Sequence, residues 1–372
     1  MNDQSDLPES AAQPPSTPPQ APANFATALR DSADHSAPQG FSFSASGSEY
    51  FRIWIVNLLL SVVTLGIYSA WAKVRRLRYF YANTSVAGAS FDYHGNPMAI
   101  LKGRIIAVVV MGLYQLAAAF NVVLGLIAAI VMAVAGPWLI WRSLQFKLYN
   151  TSYRGIRFGF RGSAGGVFKN FFVWPALGSI SVGLLAPLAY QRFKRYQHGQ
   201  SRFGATQFDF TGKPGAFYKV FLIAFGIWLA GFLAGIAALV AVGYSHISLF
   251  VMLPHGLPII IALYAWTFAI YPLLMTQLQN LVWNSTRLGE HRFKSTMRWQ
   301  RVVFIFVTNL LGIAFTLGLY TPFAQIRMMR YRIESLALLP AGNLDEFLAA
   351  SEPHGSATSE GLGDLLDFDL SM

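Results

Sequence analysis

The chain has 372 residues, of which 54% are hydrophobic and only 12% are charged, and this composition excludes a soluble globular protein of that length. The runs 105–141, 220–255 and 256–283 contain no Asp, Glu, Lys or Arg, and each exceeds the roughly 20 residues that a helix needs to cross a bilayer. Because lipid cannot hydrogen-bond the backbone, such runs must be helices. The composition therefore predicts an all-α multi-pass membrane protein.

The net charge of +11 is unevenly distributed along the chain. Residues 1–40 are rich in Pro, Ser and Ala and carry a net charge of −4, and residues 341–372 carry −7 without any Lys or Arg. The intervening residues 41–340 therefore carry +22. We predict that both acidic ends are disordered tails, and residues 1–40 lack the apolar region of a signal peptide. The chain contains no Cys, so disulfides and thiol chemistry are not expected.

The first apolar segment ends in a cassette in which an apolar stretch stops at a Gly and passes directly into an Arg-rich helix. The cassette occurs three times, at 65–79, 182–196 and 317–331, and the middle copy is degenerate. Repetition of this kind predicts a protein built from internal repeats. The predicted division of the chain is a tail at 1–40, repeat units at 41–165 and 166–298, a partial third unit at 299–339 and a tail at 340–372.

A second recurring element follows the Arg-rich helix. Asn-Thr-Ser at 83–85, Gly88 and the aromatic run 91–95 are repeated 67 residues later, and looser copies begin at Ser201 and Asn284. Asn and Ser are suited to ending a helix, Gly to a turn and alternating aromatic residues to a short strand. The sequence therefore predicts short cytoplasmic insertions that resemble β-hairpins, four of which could pair into a small sheet or collar.

These motifs together resemble those of the YjgN family, a group of uncharacterised bacterial inner-membrane proteins. The resemblance is carried by Leu-Gly-Ile-Tyr, then Trp-Ala-Lys-Val-Arg-Arg-x-Arg-Tyr-Phe-Tyr, then Asn-Thr-Ser and Phe-Asp-Tyr-His-Gly-x-Pro. It covers about residues 41–338, and residues 50–102 are its most specific part. The resemblance implies a bacterial inner-membrane location but no activity, substrate or catalytic residue. The middle cassette departs from the pattern, since Leu185 replaces the Tyr and Leu188 replaces the Trp.

The charges between apolar segments predict the topology. The segment 104–141 is expected to form a hairpin of two short helices turning near Asn121, and the connection 244–258, which lacks Lys and Arg, is expected to face outward. The other connections are basic and should face the cytoplasm, together with both tails. Apolar segments are predicted at about 51–70, 104–141, 168–190, 217–243, 247–275 and 300–323.

Segment 168–190 has basic clusters on both sides, which conflicts with a single crossing. Two solutions remain open. The cassette segments can enter the membrane and return on the same side, or units with an odd number of crossings can form an inverted repeat. The Pro and Gly residues within these segments favour the first solution, because broken helices at membrane depth occur where protein or water covers the backbone.

The cassette helix also supplies the candidate binding residues. Tyr68, Trp71, Arg75 and Arg78 fall on one helical stripe. Paired Arg residues suit a phosphate or carboxylate, so capture of an anionic lipid or solute is one hypothesis. The alternative is an interfacial helix with aromatic side chains at headgroup level and Arg reaching outward. The corresponding candidates in the other cassettes are Tyr320, Arg327, Arg330, Arg192 and Arg195.

Two pairs of polar residues occupy equivalent positions in different copies. Asn57 and Asn309 lie inside apolar segments, where Asn more often bridges helices than binds an ion. Asp92 and Asp209 lie in predicted loops, where each is expected to pair with a nearby Arg or cap a turn.

No catalytic or metal-binding motif occurs in the sequence, so we predict no enzymatic activity, no catalytic residue, no metal site and no cofactor. The basic residues border apolar segments rather than forming a separate basic domain, which disfavours nucleic acid as a partner. The expected partners are membrane lipids with anionic headgroups, or a small anionic solute. Two functions remain open: transport or binding of such an anion, and a non-transporting membrane scaffold or regulator that binds headgroups or a partner protein.

Overall fold

The computed structural model describes residues 37–245, 249–342 and 347, and the two predicted tails lie almost entirely outside them. The described residues form short strands and paired helices. The strands are β1 (Gln39–Gly40), β2 (Ser42–Phe43), β3 (Thr84–Val86), β4 (Ala89–Tyr93), β5 (Thr151–Tyr153), β6 (Ile156–Phe160), β7 (Ser201–Phe203), β8 (Thr206–Phe210), β9 (Thr286–Leu288), β10 (His291–Ser295) and β11 (Leu336–Leu339).

The helices form five consecutive pairs within the described chain. Pair 1 is α1 (Gly47–Val63) and α2 (Ser69–Ala82), pair 2 is α3 (Pro97–Phe120) and α4 (Val122–Tyr149), pair 3 is α5 and α6 (Ala186–Gly199), pair 4 is α7 (Pro214–Ser245) and α8 (Leu249–Asn284), and pair 5 is α9 (Trp299–Phe315) and α10 (Thr321–Glu334). Helix α5 has three continuous parts, Ala164–Val167, the π-helical Phe168–Val173 and Trp174–Ile180.

All strands belong to one antiparallel sheet, and one extended segment of the chain closes it. The strand order is β1-β11-β10-β9-β8-β7-β6-β5-β4-β3-β2. Strand β1 pairs with β11, β2 pairs with β3, and only Phe41 separates β1 from β2. The Phe41 N–H donates to the Leu336 carbonyl over 3.0 Å, and Ser42 lies opposite Ser85. The two ends of the sheet therefore meet at residues 39–43, and the sheet is a closed ring.

The antiparallel order of the strands places all helix pairs at one end of the sheet. In an antiparallel sheet successive connections alternate between the two ends. The connections β3–β4, β5–β6, β7–β8 and β9–β10 are two-residue turns, whereas every connection between these hairpins contains a helix pair. In two of the turns both residues have positive φ, as in the type I′ turns typical of hairpins: 46° and 76° at Ala87 and Gly88, and 48° and 81° at Arg154 and Gly155.

The interior of the closed sheet is filled by aromatic side chains. Ring centroids of successive Phe residues lie 6.3–6.4 Å apart in nearly parallel planes, an offset arrangement that aromatic pairs favour. Buried aliphatic and aromatic residues complete this core, and Phe347 packs against it from the end remote from the helices. The stacked residues are, in ring order, Phe41, Phe91, Phe158, Phe208 and Phe293.

The helices form a second ring above the sheet. The second helix of each pair contacts the first helix of the next pair, and α10 of pair 5 contacts α1 of pair 1. At this last contact the Tyr50 hydroxyl donates to Gln325 Oε1 over 2.9 Å, and the rings of Phe51 and Phe323 lie 5.7 Å apart. Residues more than 270 positions apart therefore close the helix ring beside the strand segment that closes the sheet.

Pairs 2 and 4 are long and apolar. The described residues include four helices long and apolar enough to cross a membrane, and at most 11% of the most apolar window in any of them is buried. Helix α3, with 24 residues, measures about 36 Å and exceeds the roughly 30 Å hydrocarbon core. Apolar side chains exposed along this length require lipid as their surroundings. The candidate spans are Pro97–Phe120, Val122–Tyr149, Pro214–Val242 and Gly256–Asn284.

Pairs 1, 3 and 5 are short hairpins with a common turn. Their first helical segments cover 17 residues and their second helices 14, or about 26 Å and 21 Å. At each tip an apolar residue with φ of 50–53° precedes a Gly with φ of 87–96°, and only Gly adopts the second value without strain. The apolar tip residue is 92–95% exposed in every copy. The tips are Leu65-Gly66, Val182-Gly183 and Leu317-Gly318.

The short hairpins have the geometry that the re-entrant solution expects. Both ends of each pair join the same end of the closed sheet, so the basic clusters flanking 168–190 lie together. The crossing of the membrane itself stays a prediction.

Several other predictions need correction. The all-α class is too narrow, because the insertions pair into one closed sheet. The turn near Asn121 is confirmed, but its helices α3 and α4 are long rather than short, since helical structure continues through Lys102, Arg104 and Arg142 to the sheet. The connection predicted at 244–258 is shorter, with residues 246–248 outside the described residues.

The topology predicts the labelling of single cysteines, for which the native chain offers no background. Ser163, before pair 3, and Ala205, after it, are both exposed at the sheet, whereas Ser245 ends α7 at the far end of a long pair. In intact cells an impermeant maleimide should label either both or neither of Ser163→Cys and Ala205→Cys. It should label Ser245→Cys only if it leaves those two unlabelled. Permeabilised cells, in which every site should react, provide the control. Different labelling at 163 and 205 would contradict the returning hairpin.

Candidate functional site

The Arg residues predicted from the sequence occupy equivalent positions on the second helices of the short pairs. Arg75, Arg192 and Arg327 are each the seventh residue of their helix, and Arg78, Arg195 and Arg330 the tenth. The structure distributes them over three hairpins and does not bring them together into one site.

In pair 1 the predicted residues lie along one stripe, in which the two aromatic side chains are half-buried and the two Arg side chains are exposed. Tyr68 and Trp71 stack with their ring centroids 6.2 Å apart and their planes at 12°. Arg78 Nε donates to the Tyr93 carbonyl over 3.3 Å, and the Arg75 side chain is exposed. Arg78 thereby ties α2 to the end of β4, and Arg75 stays available to solvent or lipid headgroups.

Pair 5 carries the same stripe with Phe323 in place of the Trp. Tyr320 and Phe323 stack at 5.7 Å. Arg327 donates to Thr308 Oγ1 over 2.7 Å, and its guanidinium lies 5.4 Å from the Phe304 ring. Arg330 donates to the Ala45 carbonyl over 2.6 Å and lies 4.0 Å from Glu334.

An open cleft lies along this stripe of pair 5. Its volume is about 420 Å³. Arg301 of α9 faces Arg327 and Arg330 of α10 across it, and Glu334 provides a single carboxylate. Three cations and one carboxylate leave the cleft with a net charge of +2.

A matching cleft of about 470 Å³ lies on pair 3. Lys169 of α5 faces Arg192 and Arg195 of α6, and Asp209 at the end of β8 provides the carboxylate. The Arg192 guanidinium lies 5.6 Å from the Trp174 ring. The middle cassette, which departs most from the sequence pattern, thus has the same net charge of +2 as the cleft of pair 5. The substitution of Leu185 and Leu188 for the Tyr and Trp has removed the aromatic stripe but has kept the Arg pair.

Both clefts suit an oxyanion. Guanidinium groups bind phosphate and carboxylate oxygens through two parallel hydrogen bonds, and each cleft offers two guanidiniums one helical turn apart. Within residues 37–245, 249–342 and 347, no three His, Asp or Glu side chains come close enough to share a metal ion.

The polar residues predicted inside apolar segments have different environments. Asn309 Nδ2 donates to the Ala324 carbonyl over 3.2 Å and so bridges α9 and α10, as expected. Asn57 is 7% exposed, but its Oδ1 has no hydrogen-bond partner in the described chain. Asp92 and Asp209 were expected in loops but lie in strands β4 and β8, and Asp209 Oδ1 accepts a hydrogen bond from its neighbour Phe210 N–H over 2.8 Å.

A tyrosine clamp that the sequence analysis missed joins the two helices of each short pair. Tyr79, Tyr196 and Tyr331 each place the hydroxyl between the N–H and C=O of the residue that precedes the first helix, 33 positions earlier. The hydroxyl accepts from the N–H over 2.8–2.9 Å and donates to the carbonyl over 2.8–3.4 Å. The only signal in the sequence was that a Tyr ends every cassette. The clamped residues are Ser46, Ser163 and Arg298.

His198 near the end of α6 is held neutral by its surroundings. Burial, with a smaller effect from Lys194, lowers its pKa from 6.5 to about 4. Its ring lies 5.7 Å from Trp283 and 5.8 Å from Phe210, and Nδ1 is 3.3 Å from Thr286 Oγ1. A charged imidazolium would lose its hydration among these aromatic rings.

Comparison with known proteins places the chain among bacterial membrane proteins. A family described as "Bacterial protein of unknown function (DUF898)" matches residues 38–365. The chain is 32% identical over 149 residues to "Inner membrane protein YjgN" of Escherichia coli O157:H7, a stretch that covers 38% of this chain and 36% of that protein. The protein of the same name from Salmonella typhimurium is 32% identical over 142 residues, a stretch that covers 36% of this chain and 34% of that protein. The matches thus span about a third of these curated relatives. No solved structure matches.

Removal of a clamp hydroxyl should destabilise its hairpin. Tyr196→Phe leaves the Ser163 N–H and C=O without these two hydrogen bonds, at a cost of about 1–2 kcal/mol. We expect the unfolding midpoint in detergent to fall by roughly 2–4 °C. Tyr264→Phe, at a residue that is 67% exposed, is the matched control and should leave the midpoint unchanged. Equal midpoints for the two variants would disprove the clamp.

His198 predicts a loss of stability in mild acid. Its pKa is lower in the folded protein than the ordinary 6.5, so the unfolded state binds the proton more tightly and stability falls as the pH decreases from about 6.5 to about 4. The full effect is about 3 kcal/mol. His198→Gln should flatten the fall in unfolding midpoint between pH 7 and pH 4.5. An unchanged profile would show that another group is responsible.

Proposed function

The chain belongs to the family described as bacterial proteins of unknown function (DUF898), and on that premise we propose that it is an integral inner-membrane protein that binds anionic lipid headgroups without transporting them. The observation that carries this proposal is the pair of equivalent clefts, each with three cations and one carboxylate, below a hairpin tip with a fully exposed apolar residue.

The depth of the hairpins supports headgroups as the ligand. An apolar tip such as Leu317, 95% exposed, is stable in lipid and costly in water. Helix α10 measures about 21 Å, so the Arg pair near its middle lies about 10–15 Å below the tip. A tip in the acyl region therefore places Arg327 and Arg330 at the level of the phosphates, where each cation contributes about 1 kcal/mol.

We further propose that the sheet and both tails face the cytoplasm. The positive-inside rule assigns the basic end of a membrane protein to that side, and the Arg-rich helices of all short pairs end at the sheet. The chain enters β1 and leaves β11 at the end remote from the helices, which is consistent with two tails on the sheet side.

The recurrence of helix pair and hairpin also supports internal repeats, which we propose as the origin of the fold. Transport of an anionic solute along the ring axis is the less favoured function. The stacked Phe core fills the sheet interior in the described part of the chain, and a solute path on the axis would have to displace it.

The headgroup proposal predicts selective loss of anionic lipid. Arg192→Gln with Arg195→Gln removes two cations from the cleft of pair 3, and two contributions of about 1 kcal/mol each correspond to roughly 30-fold weaker binding at that cleft. Mass spectrometry of purified protein should show less phosphatidylglycerol per chain and unchanged phosphatidylethanolamine. The Arg327 and Arg330 double variant tests the second cleft in the same way.

A matched control removes two cations elsewhere. Arg292 and Lys294 are exposed on the outer face of β10, and their replacement by Gln should not change the bound lipid. Retention of phosphatidylglycerol by both cleft variants, or an equal loss in the control, would refute the proposal.

A further inference from the structure

The cations of the closed sheet all lie on one part of its outer face. Strands β6, β7, β9 and β10 contain every Lys and Arg of the sheet, whereas β1–β5, β8 and β11 contain none. Each cation is next in sequence to a residue that packs in the interior, and successive side chains of a strand point to opposite faces. We call the outward side of β6–β10 the basic sheet face. Its cations are Arg157, Arg202, Arg287, Arg292 and Lys294.

The register of the strands makes this face continuous. Arg287 of β9 lies between Asp209 of β8 and Arg292 of β10. Arg202 of β7 lies opposite Gly159 of β6, whose missing side chain leaves room for that of Arg202. Four steps of about 4.8 Å between strands make the face roughly 19 Å wide. Asp209 is the only acid in these five strands, so five cations and one carboxylate give the face a net charge of +4.

The chain leaves the sheet at the rim of this face. Strand β11 pairs with β10, and after it the Ala341 N–H donates to His291 Nδ1 over 3.1 Å. The Phe347 ring then packs edge-on against the His291 ring, with the centroids 4.3 Å apart. Phe347 and Thr206 of β8 both border Gly289, in the turn between β9 and β10. Residue 347 is therefore held beside the strands that carry the cations.

The residues that follow carry the complementary charge. Residues 348–372 contain five acids and no Lys or Arg. A chain spans at most about 3.4 Å per residue, so the first of these acids can lie up to roughly 17 Å from Phe347 and the others farther. Every acid can therefore reach the basic sheet face, whose cations form no salt bridge within the described residues. The acids are Glu352, Glu360, Asp364, Asp367 and Asp369.

We propose that residues 348–372 dock on the basic sheet face of the same chain. A segment attached at the rim of the face competes with a separate acidic partner at an effective concentration of order millimolar. Residues 1–36 are also acidic, but they lead into β1, which β11 separates from β10. The cations of the face line neither hairpin cleft, so the docking is independent of the proposed headgroup sites.

Cross-linking of paired cysteines in the full chain tests this docking, since the native sequence has no Cys. Ser359→Cys lies among the acids of the segment, and Gln207→Cys lies at an exposed position of β8 on the basic sheet face. A short bismaleimide should join them within one chain. Replacement of the five acids by Asn or Gln should slow this cross-link roughly tenfold, because several weak ion pairs act together. Salt at about 1 M, which screens charges beyond roughly 3 Å, should slow it likewise.

A matched pair controls for the reach of the segment. Ser90→Cys is exposed on the outer face of β4, a strand without cations, and its cross-link to Ser359→Cys should not slow when the acids are replaced. Arg292→Gln with Lys294→Gln should slow only the Gln207 pair.

Three results would overturn the docking. The first is a cross-link at Gln207→Cys that is insensitive to the acids and to salt, and the second is equal slowing at Ser90→Cys. The third is a cross-link found only between two chains, which would assign the face to a second copy. The Arg192 and Arg195 double variant should keep the cross-link even where it loses cleft lipid, so the docking and the headgroup proposal fail independently.

Discussion

The closure of the sheet by residues 39–43 is the constraint on which the rest of the structure depends. One extended segment pairs with β11 through Gln39 and Gly40 and with β3 through Ser42 and Phe43. Because successive connections of an antiparallel sheet alternate between its two ends, every helix pair leaves and re-enters the sheet at the same end, and closure joins these pairs into a ring. A segment too short to cross the membrane twice has only one option, which is to turn back at its tip. The re-entrant hairpins follow from the topology of the sheet as well as from their own sequences.

The helix pairs of the ring divide into two kinds. Pairs 2 and 4 are apolar over their length and provide the candidate spans. Pairs 1, 3 and 5 are short, and their second helices carry the Arg pairs. The tyrosine clamp fixes the sheet end of each short hairpin, and the Leu-Gly or Val-Gly turn fixes its tip. Between these two points the Arg side chains are held at a defined height above the sheet. This arrangement gives the proposed headgroup clefts their geometry.

Local features could be predicted from the sequence because their signals are local. Asn83 ends α2, Gly88 has the positive φ expected of a turn, and Ala89–Tyr93 forms the expected strand. Closure of the sheet could not be predicted, because the pairing of Gly40 with Ala337 joins residues 297 positions apart and leaves no local pattern. The Arg residues of the cassettes were found from their spacing, but their separation into individual clefts depends on the ring.

Disulfide cross-linking in native membranes tests closure most directly. Ser42 lies opposite Ser85, with their hydroxyl oxygens 2.7 Å apart, and Gly40 lies opposite Ala337. Two variants, each with one pair of cysteines at these positions, should both form an intramolecular cross-link under mild oxidation, whereas a pair at 42 and 337 on non-partnered residues should form it far less. Efficient cross-links at both pairs would show that one segment joins both ends of the sheet. A cross-link at 42 and 85 without one at 40 and 337 would show an open sheet and contradict the ring.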